Sequence, residues 1–432
     1  MARRVLSGDL PGLAGRTVNL QGWVHRIRDL GGVRFLILRD RAGLAQVVLP
    51  KDLHLGDVGC EWVVGVEGHC RTDSRAPSGV EVLAEHVRPI SPADPTPLEV
   101  FNPDAASKNR LETLLDHRAV SLRIPEVLDV FRVQAEVLRA FRAYLNEQGF
   151  TEIVTPKLVL AGAEGGAAVF RVEYFESTAY LAQSPQFYKQ IMVGSGLERV
   201  FEVGHAYRAE KSETSRHLTE YVSLDFEMGF IESVQDILAT HAGLVAAIFE
   251  AVRQRCGEIL HRRGIQLPDA TSIPQMSFPE AKRVLAKRFG KTEGLHGDLD
   301  TEGERLICQW AQQELGSQMI FITGYHVDKR PMYAMPDEAN PPLTHSFDLL
   351  FRGVEITTGG QRIHDYRQLV DSIRRRGLDP ADYEGYLAAF KHGMPPHGGM
   401  GMGIERLTMQ MLGLGNIREA CLFPRDRGRL TP

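Results

Sequence analysis

Phe201-Glu-Val-Gly-His-Ala-Tyr-Arg208-Ala-Glu210 runs directly into the charged stretch Lys211–Arg216, and the chain returns through Arg216-His217-Leu218-Thr219-Glu220-Tyr221. The first stretch reads as a strand, so Arg208 and Glu210, two residues apart, fall on one face. The second opens a returning strand, Ser223–Phe230, which makes an antiparallel pair closed by a charged hairpin. An arginine fork can neutralise a phosphate bidentately, a glutamate can accept from an adenine amino group, and Tyr221 or His217 can stack on a purine. Taken singly, each of these residues reads equally well as part of a surface ion pair.

Two later segments carry chemistry of the same kind. Phe347-Asp348-Leu-Leu-Phe-Arg-Gly-Val-Glu355-Ile-Thr-Thr358-Gly-Gly-Gln-Arg362 sets two carboxylates seven residues apart with a hydroxyl three residues on. Hard oxygen donors of this kind suit magnesium bound together with substrate phosphates. Seven is odd, so a regular strand would put the acids on opposite faces, and a bulge or bend is required to bring them together. The alternative is a pair of solvent-exposed strand acids. Gly403-Ile404-Glu405-Arg406 then places an arginine in the first turn of the final helix, where charge and amides can hold a phosphate. The common nucleotide loops are absent: Gly290-Lys291-Thr292 lacks the glycine five residues earlier, where Leu285 stands.

Upstream, Leu128, Phe131, Ala135, Leu138, Phe141 and Leu145 recur at spacings of three and four, which predicts an amphipathic helix ending at Gly149. A strand, Phe150–Thr155, stops at Pro156. Further strands are expected at Glu198–Ala206 and Ser346–Thr357. Residues 265–342 read as a polar helical insertion. The first ninety residues read as five short strands, Thr17–Arg26, Arg34–Leu38, Leu44–Leu49, Glu61–Arg71 and Val80–Arg88, whose economical closure is an OB-fold barrel. Pro89, Pro92, Pro95, Pro97 and Pro103 mark a semi-rigid connection. The expected division is therefore 1–90 barrel, 91–118 linker and 119–432 catalytic domain.

The 432 residues, 43% hydrophobic and 24% charged, suit an ordinary globular chain and exclude a largely disordered or collagenous one. The longest apolar runs fall short of the ~18 residues of a membrane helix, and the first residues lack a secretory apolar stretch, so no membrane partner and a cytoplasmic location are expected. Five scattered cysteines suggest neither a disulfide framework nor a zinc site. A net charge of -5 means that any polyanion must be met by local basic patches. Arg26, Arg28, Arg34, Arg39 and Arg41 against Asp29 and Asp40 make one such patch on the barrel, where side chains can contact unpaired bases; a merely solvated face is the alternative.

The helix and strand ending at Pro156, the strand with Arg208 and Glu210, and the turn GMGMGIER at 399–406 resemble the three motifs of class II aminoacyl-tRNA synthetases. More narrowly, EGG at Glu164–Gly166, QSPQFYKQ at Gln183–Gln190, RHLTEY, GVEITTGGQR and the C-terminal LFPRDRGRLTP are similar to aspartyl-tRNA synthetases of the archaeal type. The resemblance implies an α+β multidomain protein, an OB-fold anticodon-binding barrel followed by a catalytic domain with an antiparallel sheet flanked by helices. It implies aspartylation of tRNA through an aspartyl-adenylate, with ATP as substrate and Mg2+ as cofactor.

Carried over by position, Arg208 grips the α-phosphate and the aspartate carboxylate, while Glu210, Arg216, His217 and Leu218 bind ATP. Arg406 holds the γ-phosphate and packs on the adenine opposite Tyr221, with Gly403, Ile404 and Glu405 beside it. Glu355 and Thr358 hold magnesium with Asp348, and Thr358 also lies by the aspartate. Lys189 and Arg362 receive the side-chain carboxylate of aspartate, and Glu164 and Gln186 its ammonium. His25 and Pro77 stand where strict relatives carry tryptophan and lysine, which implies a relaxed enzyme that charges both tRNA(Asp) and tRNA(Asn). Such an enzyme has an amidotransferase as functional partner. The first motif implies a homodimer. The alternatives are a strictly discriminating aspartyl enzyme, an asparaginyl enzyme, and a synthetase-like protein that does not charge tRNA.

Overall fold

Five strands, β1 (Thr17–Asp29), β2 (Arg34–Asp40), β3 (Gly43–Leu49), β4 (Val63–Thr72) and β5 (Val80–Ser91), close on themselves in the order β1-β2-β3-β5-β4. All neighbours are antiparallel except β3 and β5. Val18, Leu20, Leu36, Leu38, Val47, Val64, Val66 and Val82 fill the interior. The backbones come so close at two corners that only glycine fits: a Cβ on Gly22 would lie 2.3 Å from the Arg39 carbonyl oxygen, and one on Gly68 would lie 2.2 Å from that of Leu83.

The computed structural model describes residues 3–76, 78–101, 108–160, 168–209 and 214–432. They divide into two units, Met1–Val127 and Leu128–Pro432. The division differs from the expected linker at 91–118. Leu98, Val100, Leu114 and Ile124 bury against one another, so the described residues on either side of 102–107 pack within the first unit.

The second unit is built on a sheet of eight strands: β6 (Thr151–Glu152), β7 (Arg199–Tyr207), β8 (Glu220–Gly229), β9 (Gln275–Ser277), β10 (Met319–Thr323), β11 (Ser346–Phe351), β12 (Val354–Arg362) and β13 (His397–Gly403). Their order is β9-β10-β11-β12-β13-β8-β7-β6, antiparallel through the centre and parallel only at the two edge pairs. The helices are α1 (Pro125–Glu147), α2 (Gln186–Met192), α3 (Val234–Arg262), α4 (Phe278–Phe289), α5 (Thr301–Leu315), α6 (Tyr366–Arg375), α7 (Glu384–Lys391) and α8 (Ile404–Leu412). Helices α1, α3 and α8 cover one face, where Phe141, Leu224, Phe226, Leu244, Phe249, Phe321, Phe347 and Leu407 share a core. By length and composition α3 is apolar enough to cross a bilayer, but its Leu244, Val245, Ile248, Phe249 and Val252 are fully buried in this core.

Three expectations are corrected. The stretch 346–357 is two strands joined by a turn at Arg352-Gly353, with Arg352 at φ 48°. The segment 265–342 is not helical throughout, because β9 and β10 extend the sheet and α4 and α5 pack on them through Leu285, Ile307, Ile320 and Ile322. The buried face of α1 is Val130, Val133, Val137, Phe141 and Leu145, while Ala135 is exposed and Phe131 and Leu138 are half-buried at its shoulder.

Candidate active site

Strand β8 reads Glu220-Tyr-Val-Ser-Leu-Asp-Phe-Glu-Met-Gly, and its period of two sorts the two sides of the sheet. Leu224, Phe226 and Met228 enter the core, whereas Ser223, Asp225 and Glu227 point the other way, the first two onto a cavity of about 310 Å³. Arg208 at the end of β7, His217, Leu218 and Tyr221 line it on one side, and Glu355, Thr358, Arg362 and Arg406 on the other. The structure thus gathers most of the residues that the motifs singled out. Glu164, Glu210 and Pro77 lie outside the described residues.

At the inner end of the cavity four charges are packed with no more than 6% exposure each. Lys189, fully buried on α2, donates to Asp225 at 2.8 Å and lies 3.4 Å from Glu227. Arg362 donates through Nε to Glu227 at 2.9 Å, and its Nη2 reaches Gln186 Oε1 at 3.3 Å and the Gly399 carbonyl at 3.0 Å. Burial alone would raise the Glu227 carboxyl, but Arg362 and Lys189 beside it hold it below the usual range. The two expected cations are therefore already balanced by Asp225 and Glu227, which motif reading did not pick out. The alternating pattern of β8 was the signal for them. Beneath, Tyr386 donates to Gln190, which in turn bonds His397, a histidine that burial lowers to about 4 and keeps neutral.

The acids of the hairpin come together through a bulge. Asp348 pairs across β11–β12 with Thr358, and a register shift after Leu349 sets Glu355 opposite Leu350. Asp348, Glu355 and Thr358 consequently share one face. Glu355, with 34% of its side chain open, is pushed up to about 7, first by desolvation in the cleft and then by Asp348. Residues of the supposed insertion join them: Glu304 on α5 pairs with Arg216 at 3.0 Å, and Arg330 holds Asp348. Arg406 donates to the Glu355 carbonyl at 2.9 Å. Among the described residues no three His, Cys, Asp or Glu side chains form a ready cage. A magnesium ion needs only one or two carboxylates plus substrate phosphates, so this hard-oxygen set fits it.

Two residues expected at the nucleotide are also tied into the fold, Glu405 while lining the cavity. Ile404 is 1% exposed, in the core. Glu405 is buried, and its two oxygens accept from the Val222 amide at 3.1 and 3.2 Å. Burial pushes Glu405 up to about 7 from an ordinary 4.5. A carboxyl with a raised folded pKa contributes stability that is full below 4.5 and is lost as pH rises through 7. Glu405→Gln keeps an acceptor for Val222 and cannot ionise. Relative to the parent it should gain about 3 kcal/mol between pH 4 and pH 8 in urea unfolding. A pH-independent difference would refute the assignment.

In the barrel, His25 is the extra residue at a register shift in β1. Its Nδ1 lies 3.0 Å from Arg39, which pairs bidentately with Glu61 at 2.9 and 2.7 Å. Arg123 joins Glu61 at 2.7 Å, and Trp23, 37% exposed, lies under both arginines. Arg39 is thus a buried ion-pair partner, and the basic patch is smaller by that charge than the sequence indicated.

An antiparallel sheet whose polar face carries Arg208 beside the cavity and an arginine-bearing terminal helix is the core of a class II aminoacyl-tRNA synthetase. The family model for class II tRNA synthetases (D, K and N) matches residues 110–427, and that for the OB-fold nucleic acid binding domain matches 18–90. The chain is similar to the Aspartate--tRNA(Asp/Asn) ligases of Deinococcus radiodurans, 48% identical over 100% of this chain and 99% of the relative, and of Thermus thermophilus, 47% identical over 99% and 100%. The structure matches asparaginyl-tRNA synthetase from Pyrococcus horikoshii complexed with asparaginyl-adenylate, with a TM-score of 0.93 at 32% identity over the whole of both chains. The chain belongs to the aspartyl-tRNA synthetase family of that class.

Proposed function

We propose that the protein charges tRNA with L-aspartate in two steps, forming aspartyl-adenylate from ATP and then the ester at the 3′ end of the tRNA, and that it accepts both tRNA(Asp) and tRNA(Asn). The observation that carries the choice of amino acid is the buried Lys189–Asp225–Glu227–Arg362 group with Gln186 beside it. Arg362 lines the cavity, and a side-chain carboxylate entering there meets a fixed guanidinium in a low-dielectric site, which a neutral amide exploits less well.

The α-carboxylate of the substrate attacks the α-phosphorus in line, and negative charge builds on the phosphoryl oxygens. Arg208 stabilises it from a fixed position, so little reorganisation is needed, and no general acid or base is called for. Arg406 and Arg216 grip the outer phosphates, and the ring of Tyr221 faces the adenine. Glu355 and Thr358, with Asp348, would hold Mg2+, which supplies neutralising charge for the departing pyrophosphate. The half-buried Phe131 and Leu138 on α1 offer an apolar shoulder to a second copy in a homodimer. The enzyme works in the cytoplasm, where an amidotransferase converts its Asp-tRNA(Asn).

The relaxed reading rests on His25 and Pro77 and on the likeness to the two bacterial Aspartate--tRNA(Asp/Asn) ligases. Transcripts of tRNA(Asp) and tRNA(Asn), offered separately with labelled aspartate and ATP-magnesium, should both be charged. Charging of tRNA(Asp) alone would leave a strict enzyme, and charging of neither would overturn the synthetase reading.

A further inference from the structure

Arg330, on the connection between β10 and β11, is held at both ends. Its Nη1 and Nη2 donate to the two oxygens of Asp348 at 3.0 and 2.6 Å, and Nη1 also reaches Thr358 Oγ1 at 2.9 Å. The guanidinium lies on the Tyr325 ring, 3.8 Å from its centroid. Arg376 donates to the main-chain carbonyls of Arg330 and of Val327, which pins the segment from behind. The side chains of Arg330 and Asp348 are 10% and 4% exposed.

Asp348 and Thr358 are two of the three donors assigned above to a divalent ion. Lone pairs engaged by N–H groups are not presented to a metal, and a second cation close to a buried guanidinium is repelled with little screening. We infer that Arg330 is the resident counter-cation of the metal site: it neutralises Asp348 in the free enzyme, and a divalent ion must displace it from Asp348 and Thr358 to bind. This rests on the magnesium reading proposed above. Arg330 thereby sets the affinity for the ion. It keeps binding weak until nucleotide phosphates add their own oxygens, which prevents a cleft already crowded with Asp348, Glu355 and Glu304 from trapping a bare ion.

The test is binding of Mn2+ alone to the full chain without ATP, followed by the loss of its free-ion electron paramagnetic resonance signal. Arg330→Met should bind Mn2+ about tenfold tighter than the parent, the scale expected when an outer partner of a metal ligand is altered. Adding Asp348→Asn should abolish that gain. Mg2+ should also raise the melting temperature of Arg330→Met, by refilling the missing charge, while leaving the ATP-free parent nearly unmoved. Arg330→Lys, which keeps a charge but cannot bridge both partners, should fall between them and serves if the methionine variant does not fold. Variants that bind Mn2+ no tighter than the parent would overturn the role of Arg330. A parent that takes up no Mn2+ even with ATP would remove the metal site itself, a result distinct from the first.

Discussion

Lys189→Leu should reduce aspartate-dependent pyrophosphate exchange by about a hundredfold to several thousandfold, the equivalent of the ~3–5 kcal/mol cost of breaking a buried charge pair. Lys189 is completely buried and touches Asp225, Glu227 and the Met400 carbonyl. With it, the group Lys189, Arg362, Asp225 and Glu227 is neutral. Without it, one negative charge is left where a second carboxylate, that of the substrate, must enter, so binding and stability suffer together. The double variant Lys189→Leu/Asp225→Asn separates the two effects. It restores neutrality and should recover most of the melting temperature, yet exchange should stay low because the positive charge behind Asp225, at the inner end of the cavity, is gone. If the double variant regains exchange, Lys189 serves only to hold the fold.

The second large effect belongs to Arg208. Arg208→Ala should lower the rate of adenylate formation by about 10²–10³-fold, the usual loss when one preorganised donor to developing charge is removed. The backbone there is secured independently, by the Arg208 amide on the Thr219 carbonyl at 2.9 Å and by the nine paired positions of β7 on β8, so the variant should fold. Its guanidinium lies 5.7 Å from the Tyr221 centroid and lines the cavity. Single-turnover measurement should place the loss in the chemical step more than in KM for ATP. Arg208→Lys, with a charge but no fork, should recover only part of it. A loss confined to KM would show that Arg208 binds the ground state alone.

Much of this site is legible from local pattern. Strand alternation puts Arg208 and the polar residues of β8 on chosen faces. The glycines at 399, 401 and 403 instead read locally as a tight turn, whereas they lie in strand β13, paired on both sides so closely that a Cβ on Gly399 would lie 2.1 Å from the Phe226 carbonyl oxygen. The five barrel strands stand close to where their turn residues put them, because a half-buried strand between turns is specified by residues adjacent in sequence. The identity of α1 as a helix was equally plain. Its inward face was not, because apolar residues at 128, 131, 135 and 138 compete with valines at 130, 133 and 137, and only the shape of the sheet beneath selects the second set.

What the sequence determined by itself, then, is the order of elements, the class of fold and the set of candidate cationic residues, since these depend on spacing within one segment. Partnership across segments was decided by tertiary structure. Arg330 and Glu304 come from a stretch without motif character, yet β10 beside β11 and α5 packed on them carry both residues to Asp348 and Arg216. Lys189 met Asp225, His25 met Arg39, and a bulge turned Glu355 towards Asp348 for the same reason. A buried charge takes whichever opposite charge the fold places within about 3 Å, and no local spacing in the chain records which one that is.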